Sequence, residues 1–503
     1  MGRNRILFTS FSKIYSLTLF FAWGILCCLG LFSVSCSSDN SIASNSSSVN
    51  GASKEFLYNY DLLYFFYNNA KEYLREPAAY IGKVEDGALD DYSIPWDYYD
   101  LYYMYESMYD PFTQYVDPSR AMTVLNSITQ SEERMDPGFE WDIQGSPKGY
   151  FITNVVRYSP ADKAGLKAGD QIIAIEGVEP SSDIVFNRLS VGTENDIITY
   201  TVKRDSETLI IPVLLTPYHA PTVELTFRDS IPIIKILEFT AETSNDSGTY
   251  GEFVEFLRET ANYKSTIIDL RDNGGGDGDQ CFAISQLFLS KGDSSAGIIS
   301  TEPDTIRLVQ AYDTSFATNE TDGIAKDRYF VFLANEGSAS CSEVMLLSVT
   351  MNKKFPIVGS TTYGKGIGQA TFMTPSFSLA IITALKVIDK NFNTYHKYGI
   401  APDFPISNKE LALQKAVELA KEGTYLRTAG YGTINTGHFA KMGVEQDTMP
   451  GFYFISKEVR GKIQIKRKKN RFRPLLCCHA GLSQSRTSSG IPASPYTAPC
   501  CKT

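Results

Sequence analysis

The stretch N-E-G-S-A-S-C-S-E-V-M-L-L-S-V-T-M-N-K-K-F-P-I-V-G-S-T-T-Y-G-K-G-I-G-Q, residues 335–369, decides how this 503-residue chain is read. Arg328 to Ala334 ahead of it (R-Y-F-V-F-L-A) is an apolar, aromatic run of strand length. After the small residues that follow, Glu343 to Val349 reads as the start of a helix, so Ser340 falls at a strand-to-helix turn. Phe355 to Val358 reads as a second strand and leads into the glycine-flanked loop Tyr363-Gly364-Lys365-Gly366. A right-handed crossover sets the two strands parallel in one sheet. Ser340 and Lys365 then both follow C-terminal strand ends, where open α/β sheets place their sites and where the two can meet.

Taken singly, each residue has an ordinary explanation. Ser340-Cys341-Ser342-Glu343 fits the S-x-x-E capping box, whose hydroxyl and carboxylate satisfy N–H groups at a helix start. A lysine between glycines is normally a solvated loop charge. A third element changes the balance. The buried-looking strand Ser265 to Leu270 runs into Arg271-Asp272-Asn273-Gly274-Gly275-Gly276-Asp277-Gly278. Three glycines let backbone N–H groups turn toward a ligand, as an oxyanion hole requires. A phosphate cradle is the rival, but Asp272, Asp277 and Asp279 repel phosphate and no G-K-[ST] follows.

The blocks I-I-D-L-R-D-N-G-G-G (267–276), G-S-A-S-C-S-E (337–343), Y-G-K-G-I-G-Q (363–369) and Y-G-I-A-P-D (398–403) stand in that order. Together they resemble the signature blocks of the C-terminal processing (tail-specific) serine peptidases. The resemblance implies Ser340 as nucleophile, Lys365 as base, and Gln369 in support of the lysine. It implies an oxyanion hole from the backbone N–H groups of Gly275, Gly276 and Cys341, with Cys341 standing where alanine is more usual. It also implies an α/β (α+β multidomain) fold: a helical N-terminal region, a PDZ β-sandwich-like module and a crotonase-like ββα catalytic domain.

The chemistry makes sense without the family. A serine hydroxyl attacks poorly until a base takes its proton, and lysine serves only when neutral. Burial disfavours the ammonium, so Lys365 is expected in a dry pocket without a carboxylate partner. The competing base is a histidine. Of His219, His396, His438 and His479, only His396 lies within the signature region.

Residues 1–36 read as a secretory signal, with Arg3, Arg5 and Lys13 ahead of an apolar core from Leu17 to Phe32. Its end, Ser33-Val34-Ser35-Cys36, resembles a bacterial lipoprotein signal, although Ser33 replaces the usual leucine. That implies lipid on Cys36, export across the inner membrane, and a membrane-anchored protein facing the periplasm or cell surface. A plain signal peptide and an uncleaved anchor are the alternatives. Residues 37–53 form a Ser-rich flexible tether.

The region 54–130 is expected to be helical, with amphipathic helices at Glu55 to Leu74 and Tyr98 to Tyr109 whose tyrosines pack a core. It ends in Asp110-Pro111-Phe112-Thr113-Gln114-Tyr115-Val116-Asp117-Pro118, which resembles a segment ahead of the ligand-binding module in the same family. Residues 137–217 read as short strands, and Ser159 to Ile175 resembles the core of a PDZ domain. That implies binding of the C-terminal segment of a protein or peptide substrate as an added strand, with Gly138 and Phe139 in the carboxylate loop. The catalytic domain spans 221–425, with strands at Ile231 to Leu237 and Ser378 to Val387 and helices at Gly251 to Thr260 and Asn408 to Lys421. Residues 426–460 are an extension without assignment.

Residues 461–503 hold nine Lys or Arg and no acid, leaving a net charge of about −19 on the rest of a chain whose total is −10. This basic end is expected to be disordered or foreign to the fold. The acidic main body argues against nucleic acid as a partner. No Cys/His spacing fits a metal, and no cofactor is expected. Setting aside the signal and the tail leaves Cys281 and Cys341, which make no disulfide framework. The reading is a serine endopeptidase that cuts protein substrates near their C-termini. The alternative is a catalytically vestigial PDZ-based peptide-binding or scaffold protein of the cell envelope. The intact set Ser340, Lys365 and Gln369 favours the enzyme.

Overall fold

A computed structural model describes residues 51–82, 96–144, 149–304, 309–352, 355–423, 453–458 and 462–466. The signal, Cys36 and the tether up to residue 50 lie outside the described residues.

The first helix, α1 (Lys54–Phe66), is capped by Ser53, whose Oγ accepts the Phe56 N–H at 3.0 Å. The continuous helix expected over Glu55 to Leu74 breaks at Tyr67, which is extended, and resumes as the short α2 (Ala70–Tyr73). The break has a tertiary cause, because the Asn68 N–H donates to the Thr383 carbonyl at 2.9 Å. Helix α3 (Tyr99–Glu106) completes this region. Phe56, Tyr67, Tyr80, Tyr105 and Tyr115 are buried together against Ala380 and Ile382, so the tyrosines are core. Strand β1 (Gln114–Val116) and helix α4 (Pro118–Thr129), capped by Asp117, lead onward.

Strands β2 (Glu133–Arg134), β3 (Phe139–Gln144), β4 (Gly149–Val155), β5 (Gln171–Ile175), β6 (Ile197–Arg204), β7 (Glu207–Leu214) and β8 (Tyr218–His219) follow. The sheet β3-β4-β5-β6-β7 is an antiparallel meander, and the β2–β8 pair ties the chain where it enters and leaves. Helix α5 (Pro160–Ala164) stops at Gly165, whose φ of 86° closes the turn. Helix α6 (Asp183–Leu189) places Phe186 in a core with Ile152, Ile172, Ile175 and Tyr200.

Strands β9 (Val223–Arg228), β10 (Ile231–Ile236), β11 (Ser265–Asp269), β14 (Tyr329–Ala334), β15 (Ile357–Gly359) and β18 (Phe404–Pro405) build the second sheet, in the order β18-β15-β14-β11-β10-β9; β12 (Ser294–Asp304), β13 (Val309–Thr318), β16 (Ile367–Met373) and β17 (Leu379–Ile388) lie outside it. From β10 to β18 every pairing is parallel, and β9 alone is antiparallel. Both faces are covered, which explains the unbroken apolar runs. Ile234, Ile268, Phe330 and Phe332 face a core shared with α7 (Gly248–Glu259), α8 (Gly278–Gln286) and α9 (Cys341–Asn352). Ile233, Ile267, Val331 and Leu333 face α10 (Lys409–Glu422) through Ala412 and Ala416. In a third sheet β17 pairs antiparallel with β1, β12 and β16.

The meander module rests on α7. Tyr158 donates its hydroxyl to Glu255 at 2.6 Å, and the Arg157 guanidinium lies 4.4 Å from the Phe256 ring centroid. By itself, the end of the chain forms a hairpin of β19 (Tyr453–Glu458) and β20 (Lys462–Lys466), with Ile455 opposite Ile465. The start of the basic end, expected to be disordered or foreign to the fold, carries the strand β20, where K-I-Q-I-K alternates with period two. Among the described residues no helix is long and apolar enough to cross a membrane, and no group of His, Cys, Asp and Glu could hold a metal ion.

Candidate active site

Strand β14, helix α9 and strand β15 form the expected parallel unit, with Phe332 opposite Ile357. Between β14 and α9 the chain turns through Asn335 to Ser340. Ser340 has a φ of 52°, which side chains other than glycine seldom adopt and which the surrounding bonds must hold. Glu343 supplies the main restraint. Its buried carboxylate accepts the N–H groups of Ser340 (3.0 Å), Gly364 (2.6 Å) and Lys365 (2.8 Å), and the Thr362 hydroxyl (2.5 Å). One carboxylate therefore ties the Ser340 turn to the Lys365 loop. Burial pushes the Glu343 carboxyl up, against the pull of those four donors.

The capping-box reading holds by half. Glu343 binds the Ser340 N–H as such a box requires, but Ser340 has left the extended backbone of a cap residue, and its hydroxyl has no hydrogen-bond partner among the described residues. A hydroxyl released from capping is available to react.

The loop after β11 packs directly on this turn. Asn273 organises it: its side chain donates to the Ile236 carbonyl at 3.0 Å and accepts the Gly275 N–H at 2.8 Å. Its carbonyl takes the Ala339 N–H at 2.9 Å and the Ser342 hydroxyl at 3.0 Å. Gly275 has a φ of 113°, and a Cβ there would lie 2.7 Å from Ser340 Cβ, so only glycine fits. Arg271 grips Asp269 through two nitrogens at 2.9 and 2.6 Å, and Lys409 holds Asp272 at 2.6 Å. Of the three expected oxyanion donors, Gly275 has its N–H committed to Asn273. The N–H groups of Gly276 and Cys341 have no hydrogen-bond partner among the described residues.

The base side differs from expectation. Lys365 has no ion-pair partner among the described residues, and burial lowers its pKa while Asp110 and Glu343 pull the other way. However, no hydrogen bond joins Lys365 Nζ to Ser340 Oγ. The ammonium nitrogen instead lies 4.5 Å from the centroid of the Phe112 ring. Gln369 does not reach the lysine either, because its Nε2 donates to Thr383 Oγ1 at 3.3 Å. His396 is also lowered by burial and by the charge of Lys397, its Nδ1 is buried without a partner, and no hydrogen bond joins it to Ser340. Phe112 and Asp110 belong to the Asp110-to-Pro118 block, read from sequence only as the end of the helical region. Thr113 anchors that block by accepting the Thr383 N–H at 3.0 Å.

The expectation for the cysteines needs correction. Cys281 on α8 and Cys341 on α9 are joined in a disulfide, with Cα atoms 5.5 Å apart across 60 residues of chain. Two cysteines with no spacing motif carry no sequence signal of pairing, since only the packing of α8 on α9 brings them together.

Gly138 and Phe139 lie in the meander module and share no hydrogen bond with the Ser340 group. Gly138 has a φ of 80°, and its carbonyl accepts the Val156 N–H at 2.8 Å and the Ser159 hydroxyl at 3.0 Å. The Phe139 ring packs on Phe186 and Tyr200, and β3 pairs on one side only, with β4.

Comparison with known proteins bears on these elements. A family model described as Peptidase family S41 matches residues 230–406, and a PDZ domain model matches 151–204. A probable CtpA-like serine protease of Staphylococcus haemolyticus is 26% identical over 335 residues, covering 65% of this chain and 61% of the relative. The carboxyl-terminal-processing peptidase 2, chloroplastic, of Arabidopsis thaliana is 26% identical over 314 residues, covering 60% and 59%. This chain thus spans less than two thirds of either relative. Among solved structures, the photosystem II D1 C-terminal processing protease aligns with a TM-score of 0.41 and 18% identity, over 74% of this chain and 98% of that one. The S41 match begins one residue before β10 and ends just past β18, taking in the Asn273 loop, the Ser340 turn and the Lys365 loop, so this part of the chain is a Peptidase family S41 domain that follows a PDZ domain.

Proposed function

We propose that this chain is a serine endopeptidase in which Ser340 attacks a peptide carbonyl and Lys365 takes its proton. The observation that carries the reading is the Glu343 carboxylate, which binds the backbone of the nucleophile turn and of the lysine loop at once. A scaffold would have no need of a serine held at a strained φ with its hydroxyl unbonded. In the proposed cycle the neutral Lys365 amine leaves the Phe112 ring and accepts the Ser340 proton as Oγ bonds to the carbonyl carbon. The carbonyl oxygen takes the negative charge and is met by the Gly276 and Cys341 N–H groups. The protonated lysine then gives its proton to the leaving amine. Water, deprotonated by the same lysine, frees the enzyme from its ester.

Substrates are proposed to be protein chains cut near their C-termini, the tail lying along the free edge of β3 with its carboxylate near Gly138 and Phe139. The second reading, a vestigial peptide-binding protein, is favoured by the missing Ser340–Lys365 bond. A fluorophosphonate probe separates the two. The enzyme gives an adduct that Ser340→Ala abolishes, whereas a binding protein gives none. Comparing protein C-termini in cells carrying wild type and Ser340→Ala would then identify the substrates. Anchoring through lipid on Cys36 is part of the proposal, and Cys36→Ala is expected to move the protein from the membrane to the soluble fraction. Continued detergent-requiring membrane association would leave an uncleaved helix as the anchor.

A further inference from the structure

The Cys281–Cys341 bond lies at the junction on which the proposed chemistry depends. Cys341 is the first residue of α9, directly after Ser340, and its N–H, like that of Gly276, has no hydrogen-bond partner among the described residues. Cys281 sits in the first turns of α8, the helix that grows from the glycine loop. Both side chains are buried, at 0% and 4% exposure, and their Cα separation of 5.5 Å is ordinary for a disulfide. The glycine loop is attached to the Ser340 turn along two lines. On the Asn273 side the attachments are hydrogen bonds, from the Ala339 N–H and the Ser342 hydroxyl. On the Gly276 side the loop is fastened to Phe239, through Phe239 N–H to Gly275 O at 3.0 Å and Asp277 N–H to Phe239 O at 2.6 Å. Phe239 belongs to a different segment, so on this side the disulfide is the bond that fixes the spacing of the Gly276 and Cys341 N–H groups.

We propose that Cys281 and Cys341 form an oxidative maturation site, whose disulfide sets the two-donor oxyanion hole. The proposal rests on the peptidase reading above. Formation is thiol–disulfide exchange with a disulfide oxidant, either a disulfide-bonded oxidoreductase or a small-molecule disulfide. The two protein thiols give up two protons and two electrons as the sulfur–sulfur bond forms. The oxidant's own sulfur–sulfur bond breaks and leaves as two thiols. Chain folded in a reducing compartment keeps the thiols, and folding in an oxidising one completes the site. Reduction is expected to leave the fold intact, because both cysteines lie in one buried apolar cluster and the Cys341 sulfur lies 3.2 Å from the Asp277 carbonyl oxygen, a weak acceptor for the restored thiol. What is lost is the fixed spacing of the donors, and oxyanion stabilisation falls steeply when donors are out of place.

The test uses the full chain, oxidised with glutathione disulfide or reduced with a phosphine, and followed by peptide mapping and by hydrolysis of a peptide substrate. Mapping is expected to find a cross-linked peptide holding Cys281 and Cys341 that disappears on reduction. Reduction is expected to lower kcat about tenfold, short of the loss of a whole donor. KM should stay within about twofold, since the ground-state carbonyl gains little from the hole. Reoxidation restores kcat. Cys281→Ala should show the reduced kcat and ignore the reductant, with its KM and melting temperature distinguishing a misplaced donor from a damaged fold. The proposal is overturned by free thiols at both positions in the oxidised protein, or by a cross-link whose reduction leaves kcat unchanged. Absence of any Ser340-dependent turnover in either redox state would sink the peptidase reading, and this role with it. The cross-linked peptide would still map, so the two failures look different.

Discussion

Ser340 and Lys365 follow neighbouring strands of one sheet, yet the first is gripped on every side and the second lies against an aromatic ring from another region. The nucleophile turn is held by Glu343, by Asn273 and by contact with Gly275, all within the catalytic sheet and its loops. The backbone of the lysine loop shares the Glu343 anchor, but its ammonium is placed by Phe112, from the segment that joins the helical region to β1. In the proposed mechanism, the difference means that the site is preassembled where charge must be stabilised and adjustable where a proton must move. Preorganised donors cost nothing to reorient during reaction. A base on a long flexible side chain can be stored away from its target and brought in by a small rotation.

The strongest way to break this comparison is to change the base. Lys365→Ala is expected to reduce kcat/KM by roughly a thousandfold, and Lys365→Arg by as much, because a guanidinium stays charged and accepts no proton. In the wild type the acid limb follows from the sign of the shift. Burial lowers the lysine pKa, so the neutral base is present above that value and lost as pH falls through it. A kcat/KM profile should therefore rise with pH through a midpoint below the roughly 10.4 of free lysine. Near-normal turnover in Lys365→Arg together with loss in His396→Ala would make the histidine the base.

Next in size is Glu343→Gln. The amide would turn N–H groups toward backbone donors, so at least one of Ser340 and Lys365 loses its acceptor. Thermal or denaturant unfolding should show about 2–3 kcal/mol of destabilisation, accompanied by a lower kcat. An unchanged kcat would mean that the two halves are not joined through this carboxylate.

Smaller effects are expected on the base side. Gln369→Ala should lower kcat/KM by about fivefold, one hydrogen bond's worth, since Gln369 bonds Thr383 and not the lysine. A loss as large as that of Lys365→Ala would place Gln369 on the lysine during turnover. Smallest is Phe112→Leu, which keeps apolar cover but removes the ring face that favours the charged ammonium. The midpoint of the pH profile should fall by about half a unit. A rise instead would mean that the ring acts mainly by excluding water.

Local pattern alone determined several of these features. The apolar runs around β11 and β14, the glycines after β11, and the small residues before α9 place a serine, a lysine and a donor-rich loop at the ends of parallel strands. Each of those inferences needs only neighbours a few residues apart, where backbone sterics and side-chain period act directly. The helix expected to run unbroken from Glu55 to Leu74 shows the limit, since its periodicity is real but a hydrogen bond to Thr383 stops it at Tyr67. Tertiary structure decided the rest: Glu343 as a tie between two loops, Gly275 as a committed donor, Phe112 over Lys365, and the disulfide across 60 residues. These contacts join segments distant in sequence, whose meeting depends on how whole sheets and helices pack, and no local propensity encodes that distance.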